Sequence, residues 1–271
     1  MGKIIFLDID GTLRDFDGTI PKSAVEAIQK ARERGHKVCL STGRPMWQID
    51  EKVRNIGFDG IVSGSGSYVE YEGKRVRHKH FTLLTYIELC KYLLEHHCVI
   101  EIHTHTNGFI LKHQEEAFQA VKEIVKSEVA ISAEEVDSWY KPIDHVMDVA
   151  RAEKILFFGK ELTVEEVLKK WGKSLYVVPL SIPTLEDGGG EITPIYINKA
   201  EGIRSILEAG GFKREDAVAV GDGINDIEMI QFAGIGIAMG NAEDAVKEAA
   251  DIVTSSVQED GIYQAFQKAG L

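Results

Sequence analysis

Phe6-Leu7-Asp8-Ile9-Asp10-Gly11-Thr12-Leu13 is the stretch whose reading decides the fold. Residues i and i+2 of a strand point to one face. Asp8 and Asp10, reached at the end of the apolar run that starts at Lys3, are therefore delivered to one pocket at a strand's end, with Gly11 turning the chain away. Two like charges held close together are costly unless a cation or a proton is shared. The pair thus points to a divalent metal, to a nucleophile beside an acid/base, or to both.

Working outward, the first part of the chain alternates strand and helix. Lys3–Leu7 reads as a buried strand. Ser23-Ala24-Val25-Glu26 reads as a capping box opening a helix that Gly35 ends, and Lys37–Ser41 reads as the next strand. Pro45 opens a helix to about Gly57, Gly60–Ser63 is a third strand, and 68–79 is a hairpin around Glu72-Gly73. Alternation of this kind implies a parallel sheet with helices on both faces. From 83 to 185 the pattern changes to α+β. A helix precedes an alternating strand at 99–106 and a strand at 109–112. A helix near 115–126, a strand at 154–158, a helix at 164–171 and a strand at 175–178 follow. After Gly188-Gly189-Gly190 the alternation resumes, with a helix at 200–209, a strand at 217–220 and a helix from Asn225. A strand at 234–238, a helix from Ala242, a short strand at 251–253 and a helix ending near Ala269 complete it. The expected fold class is α/β: a doubly wound, Rossmann-like parallel-sheet core of residues 1–82 and 186–271, with an inserted α+β cap domain at 83–185.

Ligands of such sheets lie at the carboxyl ends of the strands. The second strand ends in Ser41-Thr42-Gly43-Arg44-Pro45, where hydroxyls and backbone N–H groups at a helix start suit phosphate. Asn198-Lys199 opens a core helix, and a later strand ends in Gly221-Asp222-Gly223-Ile224-Asn225-Asp226. Each alone also reads as an ordinary cap or turn; their conjunction in this order carries the functional reading.

On these motifs, together with Ala238-Met239-Gly240-Asn241-Ala242, the chain resembles the haloacid dehalogenase-like hydrolases, and most closely the Cof-type phosphatases, whose cap lies between the second and third motifs. It departs from them in having Ser63-Gly64-Ser65-Gly66-Ser67 after the third strand, where Asn-Gly-Ala is common, and Lys199-Ala200 where Lys-Gly is usual. The resemblance implies a phosphatase with Asp8 as nucleophile, forming an aspartyl-phosphate, and Asp10 as general acid/base. It implies Mg2+ held by Asp8, the Asp10 carbonyl and Asp222, with Asp226 supporting that shell and the cation keeping the Asp8 pKa low. Phosphate would be bound by Ile9, Thr42, Gly43, Lys199 and Asn225, with Arg44 bracing its loop. The cap would exclude water and read the leaving group. A phosphohexomutase or a non-catalytic metabolite sensor on the same fold are the alternative readings; a dehalogenase would not require Asp10.

The remaining sequence sets bounds. The 271 residues carry a net charge of −12, which argues against nucleic-acid or membrane-surface partners but leaves room for a small phosphoester substrate, because a local metal can reverse the field inside one pocket. The apolar fraction of 44% supports a buried core. Cys39, Cys90 and Cys98 fit no zinc spacing and read as reduced thiols of a cytoplasmic protein, a monomer or weak homo-oligomer. No signal peptide or spanning segment is expected. In the cap, His103 and His105 share a strand face and His96-His97 end a helix; these read as surface or lining residues, with metal binding unsupported by a full ligand set. Trp139 and Trp171 read as packing residues, and Glu115-Glu116 as a solvated helix start.

Overall fold

The computed structural model describes residues 2–128, 138–180 and 188–271. They form two compact units, Met1–His78 with Asn198–Leu271, and Lys79–Ile197.

The first unit is built on an eight-stranded sheet. Its strands, in chain order, are β1 (Ile4–Leu7), β2 (Lys37–Ser41), β3 (Gly60–Ser63), β4 (Tyr68–Tyr71), β5 (Lys74–His78), β12 (Ala217–Gly221), β13 (Ile235–Ala238) and β14 (Ile252–Val253); β6 to β11 lie in the second unit. The spatial order is β14-β13-β12-β1-β2-β3-β4-β5. From β14 to β3 all neighbours run parallel, while β4 and β5 close the edge as an antiparallel hairpin. β1, all four residues of which are buried, sits between β2 and β12. One sheet face carries Ile5, Leu7, Leu40, Val218 and Val220 packed with Ile28 of α1 (Lys22–Glu33). The other carries Ile4, Phe6, Cys39 and Ala219 packed with Ile203 and Ile206 of the helix Lys199–Gly210. Burying a side chain such as Phe6 contributes roughly 1.5–3 kcal/mol.

Two local expectations are corrected here. α1 starts at Lys22 with Pro21 before it, so Ser23 lies in the first turn and its hydroxyl meets Asp260 at 2.5 Å rather than capping. The helix expected after Pro45 is broken into a 3-10 turn, Met46–Gln48, and a short α2, Glu51–Arg54, because Asp50 caps the second piece by accepting from the Val53 N–H at 3.0 Å.

The second unit has a six-stranded sheet of β6 (Val99–His103), β7 (Gly108–Leu111), β8 (Tyr140–Ile143), β9 (Lys154–Phe158), β10 (Leu175–Pro179) and β11 (Gly189–Pro194), in the order β10-β11-β9-β6-β7-β8. The helices α3 (Leu83–Glu95) and α5 (Val164–Trp171) cover one face through Leu89, Leu93 and Val167; α4 (Glu115–Glu128) sets Phe118 against Phe158 and Ile110. β11 moves the unit boundary: residues 188–197, expected in the core, belong to the second unit because β11 pairs antiparallel with both β9 and β10, and residues 79–82, also expected in the core, fall in that unit as well. The expected break at 185/186 falls in 181–187, outside the described residues. Of the three glycines after which the alternation was expected to resume, Gly189 and Gly190 are strand residues under close packing. A Cβ on Gly189 would come within 2.4 Å of the Phe157 carbonyl, and one on Gly190 within 2.8 Å of the Phe157 ring.

Candidate active site

Where β1 and β12 end side by side, four charged side chains converge. Asp8 directly follows β1, its N–H donating to the Val220 carbonyl at 3.1 Å. Alternation from Phe6 puts its carboxylate on the sheet face that faces α6 (Lys199–Gly210). Asn198 caps α6 by accepting from the Glu201 N–H at 2.8 Å, so Lys199 is the first helical residue and reaches back over the strand ends. Its ammonium, 1% exposed, donates to Asp8 Oδ1 at 2.7 Å and to Asp226 Oδ1. The Ser63–Ser67 segment positions this helix: Gly66, at φ +98°, lets the Asn198 carbonyl approach to where a Cβ would stand only 2.2 Å away.

Asp226 is fully buried, and its second oxygen accepts from the N–H groups of Asp222 and Gly223, both at 3.0 Å. Its oxygens thus hold Lys199 and the turn after β12. Asp222 accepts from the Thr12 hydroxyl at 2.9 Å. Gly11 has φ +79°, and a Cβ there would come within 2.0 Å of Asp222 Oδ2, so the β1 turn and the β12 turn fit only with glycine at this position.

Carboxylate oxygens of Asp8, Asp222 and Asp226 lie within 4.8 Å of one another. An all-oxygen, buried donor set of this kind suits a hard divalent cation. Burial raises the Asp8 pKa well above the usual carboxylate range, with Asp226, Asp222 and Asp10 adding to the rise and Lys199 opposing it. The low value expected for Asp8 thus presupposes a bound cation. Asp222 is pushed up to about 7 by burial and by Asp226. Lys199 is lowered by burial, but Asp226 and Asp8 more than offset this and hold it above the ordinary lysine value.

Asp10 does not join this cluster. Its Oδ1 accepts from Arg14 Nη2 at 2.6 Å and Arg44 Nη2 at 3.1 Å, and its Oδ2 from Arg44 Nε at 2.6 Å. Arg14 is held in turn by Asp50 at 2.6 Å, and Arg44 by the Gln48 carbonyl at 3.1 Å. Burial alone would raise the Asp10 pKa; the two guanidiniums overcome it and hold the carboxyl below its usual value. Arg44 accordingly grips Asp10 itself as well as the loop it was expected to brace.

Of the expected phosphate ligands, Thr42 is buried beyond β2, its N–H donating to the Val62 carbonyl at 2.8 Å. Its hydroxyl accepts from the Arg44 N–H at 3.1 Å, which leaves the O–H as a donor. Gly43 is its neighbour, Ile9 is buried beside Asp8, and Asn225 is half-buried in the 3-10 turn Ile224–Asp226. Thr12, Arg14, Asp50 and Asn241 were not singled out as site residues from the sequence. Thr12 and Asn241 lie inside quoted motifs without a role of their own, and the local signal for Arg14 is an acid and a base four residues apart at Asp10 and Arg14.

His103 and His105 of the second unit pair with carboxylates. His103 Nε2 meets Glu101, and His105, which lies in the turn after β6 and not on the strand face, meets Glu153 at 3.3 Å. Trp139 is buried and Trp171 packs on the unit's core. The three cysteines are buried free thiols. No described helix is long and apolar enough to cross a membrane.

A doubly wound sheet with paired aspartates at β1, a buried lysine and an acidic turn after β12 defines a phosphoryl-transfer class of hydrolase. A family profile described as haloacid dehalogenase-like hydrolase matches residues 5–266. The chain belongs to that family, in its Cof-type phosphatase branch. It is similar to the putative phosphatase YkrA of Bacillus subtilis (30% identity, covering 99% of this chain and 98% of that one) and to the pyridoxal phosphate phosphatase YbhA of Escherichia coli (28%, covering 97% and 96%). Among solved structures, the subclass IIB sugar phosphatase BT4131 superposes with a TM-score of 0.82 at 26% identity, covering 99% of each chain.

Proposed function

We propose that this protein is a Mg2+-dependent phosphatase of small phosphorylated metabolites, sugar phosphates or nucleotide-like esters, working through an aspartyl-phosphate on Asp8. The observation that carries the reading is the buried Lys199 ammonium between Asp8 and Asp226, with Asp222 alongside. Lys199 orients the Asp8 carboxylate through one oxygen and leaves the other to attack phosphorus, while its charge offsets that of the incoming phosphoryl group. Mg2+, held by Asp8, the Asp10 carbonyl and Asp222, would neutralise further charge on the phosphoryl oxygens. The Thr42 hydroxyl, the Gly43 and Ile9 N–H groups and Asn225 would bind those oxygens.

As the bond from phosphorus to the leaving oxygen breaks, Asp10 protonates that oxygen. It then takes a proton from the water that releases phosphate and restores Asp8, help worth roughly 10²–10⁴ in rate. Arg14 and Arg44 favour the anionic, proton-accepting form of Asp10, so its acid step requires the carboxyl to leave their grip. The names of the relatives, a pyridoxal phosphate phosphatase and a sugar phosphatase among them, support a small phosphoester as substrate. We assign residues 1–78 and 198–271 the chemistry and the insert the choice of leaving group.

The test is phosphate release from p-nitrophenyl phosphate and a panel of phosphorylated metabolites with Mg2+ present. Wild type turns over at least one ester, and Asp8→Asn loses at least about 10³ in kcat. Retention of more than about a tenth of the wild-type rate would remove Asp8 from the nucleophile's role.

A further inference from the structure

The stretch Ala238–Ala242 has no part in the chemistry above, yet one of its side chains is tied to the β1 turn. Asn241 Nδ2 donates to the Gly11 carbonyl at 2.8 Å, and Asn241 Oδ1 accepts from the Val257 N–H at 3.2 Å. A carbonyl can only accept and an N–H only donate, so the two partners fix which way the amide points. The peptide unit Asn241 holds is the one joining Gly11 to Thr12, and both of its ends touch Asp222. On one side the bare Gly11 Cα leaves the room that Asp222 Oδ2 occupies; on the other the Thr12 hydroxyl donates to Asp222 Oδ1 at 2.9 Å.

We propose that Asn241 is a positioning residue for the divalent-cation site: by anchoring the Gly11–Thr12 peptide it fixes the lateral position of the Asp222 carboxylate against Asp8. The inference rests on the preceding reading, in which Asp8 and Asp222 hold the cation. Asn241 is itself exposed, so removing its amide leaves the core intact and the fold little changed.

The experiment is calorimetric titration of the full chain with Mg2+, alone and without substrate, on wild type, Asn241→Asp and Asn241→Ala. Asn241→Asp keeps an acceptor for Val257 but sets a carboxylate oxygen against the Gly11 carbonyl. Its added negative charge would by itself draw a cation in. A Kd for Mg2+ weakened about fivefold or more in both variants, roughly 1 kcal/mol at 1.4 kcal/mol per tenfold, with the unfolding midpoint in EDTA held within a few degrees, is the expected result. Should Asn241→Ala fail to fold, Asn241→Asp carries the test. Unchanged or tighter Mg2+ binding in Asn241→Asp overturns the inference alone. A wild type that takes up no Mg2+ overturns the cation-site reading and this inference with it.

Discussion

Replacing Lys199 by methionine keeps a long apolar stem and deletes the ammonium, which leaves Asp8 and Asp226 facing each other without their shared cation. At the 2.7 Å separation from Asp8, a unit pair in an effective dielectric of 20 attracts by about 6 kcal/mol. Desolvation of the lysine cancels a large part of that, and removing one partner from a buried pair costs about 3–5 kcal/mol. The loss should appear in urea titrations at pH 7.5 with EDTA, and as early hydrogen exchange of the β1 and β12 amides, since the first unit alone contains the site. The deficit should also depend on pH. Asp8 has a folded pKa raised by burial, and loss of Lys199, which opposes that rise, lifts it further. A raised carboxyl contributes stability that is full below its unfolded value and is lost as pH rises through the folded one. Lys199→Met should therefore be closest to wild type near pH 5 and furthest from it near pH 8. A loss below about 1 kcal/mol at pH 7.5, or one that is the same at both pH values, would refute the reasoning.

Asp222, at about 7 against 3.8 unperturbed, is partly protonated near pH 6.5 in the metal-free protein. Cation binding should release that proton, seen as a calorimetric heat that changes with buffer ionisation enthalpy; a buffer-independent heat would place the cation elsewhere. By the same sign rule, metal-free protein should lose stability as pH climbs from about 4 to about 7. Arg44→Ala should cost roughly 1–2 kcal/mol at pH 7, after discount for the partly exposed Asp10, through loss of its charge-assisted bonds. Asp10 has a lowered pKa, so its contribution exists above the unfolded value and disappears as pH falls through the folded one. Equal costs of Arg44→Ala at pH 7 and pH 2.5, measured by denaturant titration, would contradict the clamp.

Strands such as Lys37–Ser41, Gly60–Ser63 and Lys154–Phe158 could be read from sequence because each is a short β-branched or apolar run between turn residues, a local property. β8 escaped notice because Tyr140–Ile143 contains Pro142, which sequence rules count against a strand; it lies at the sheet's edge, where proline is tolerated. β11 escaped notice because Gly189 and Gly190 look like punctuation unless Phe157 is known to lie over them.

At the site the division is similar. Asp8, Lys199, Asp222 and Asp226 stand at strand ends and a helix start, positions that meet in a doubly wound sheet, so their order in the sequence, together with the family resemblance it carries, pointed to one pocket. That Asp10 is turned to Arg14 and Arg44, that Asp50 breaks a helix to hold Arg14, and that Asn241 reaches the Gly11 carbonyl were decided only by tertiary structure. Strand alternation and turn chemistry act over a few residues and are written locally, whereas the orientation of a side chain depends on which charges the fold brings to it, from as far as 230 residues away for Asn241 and Gly11.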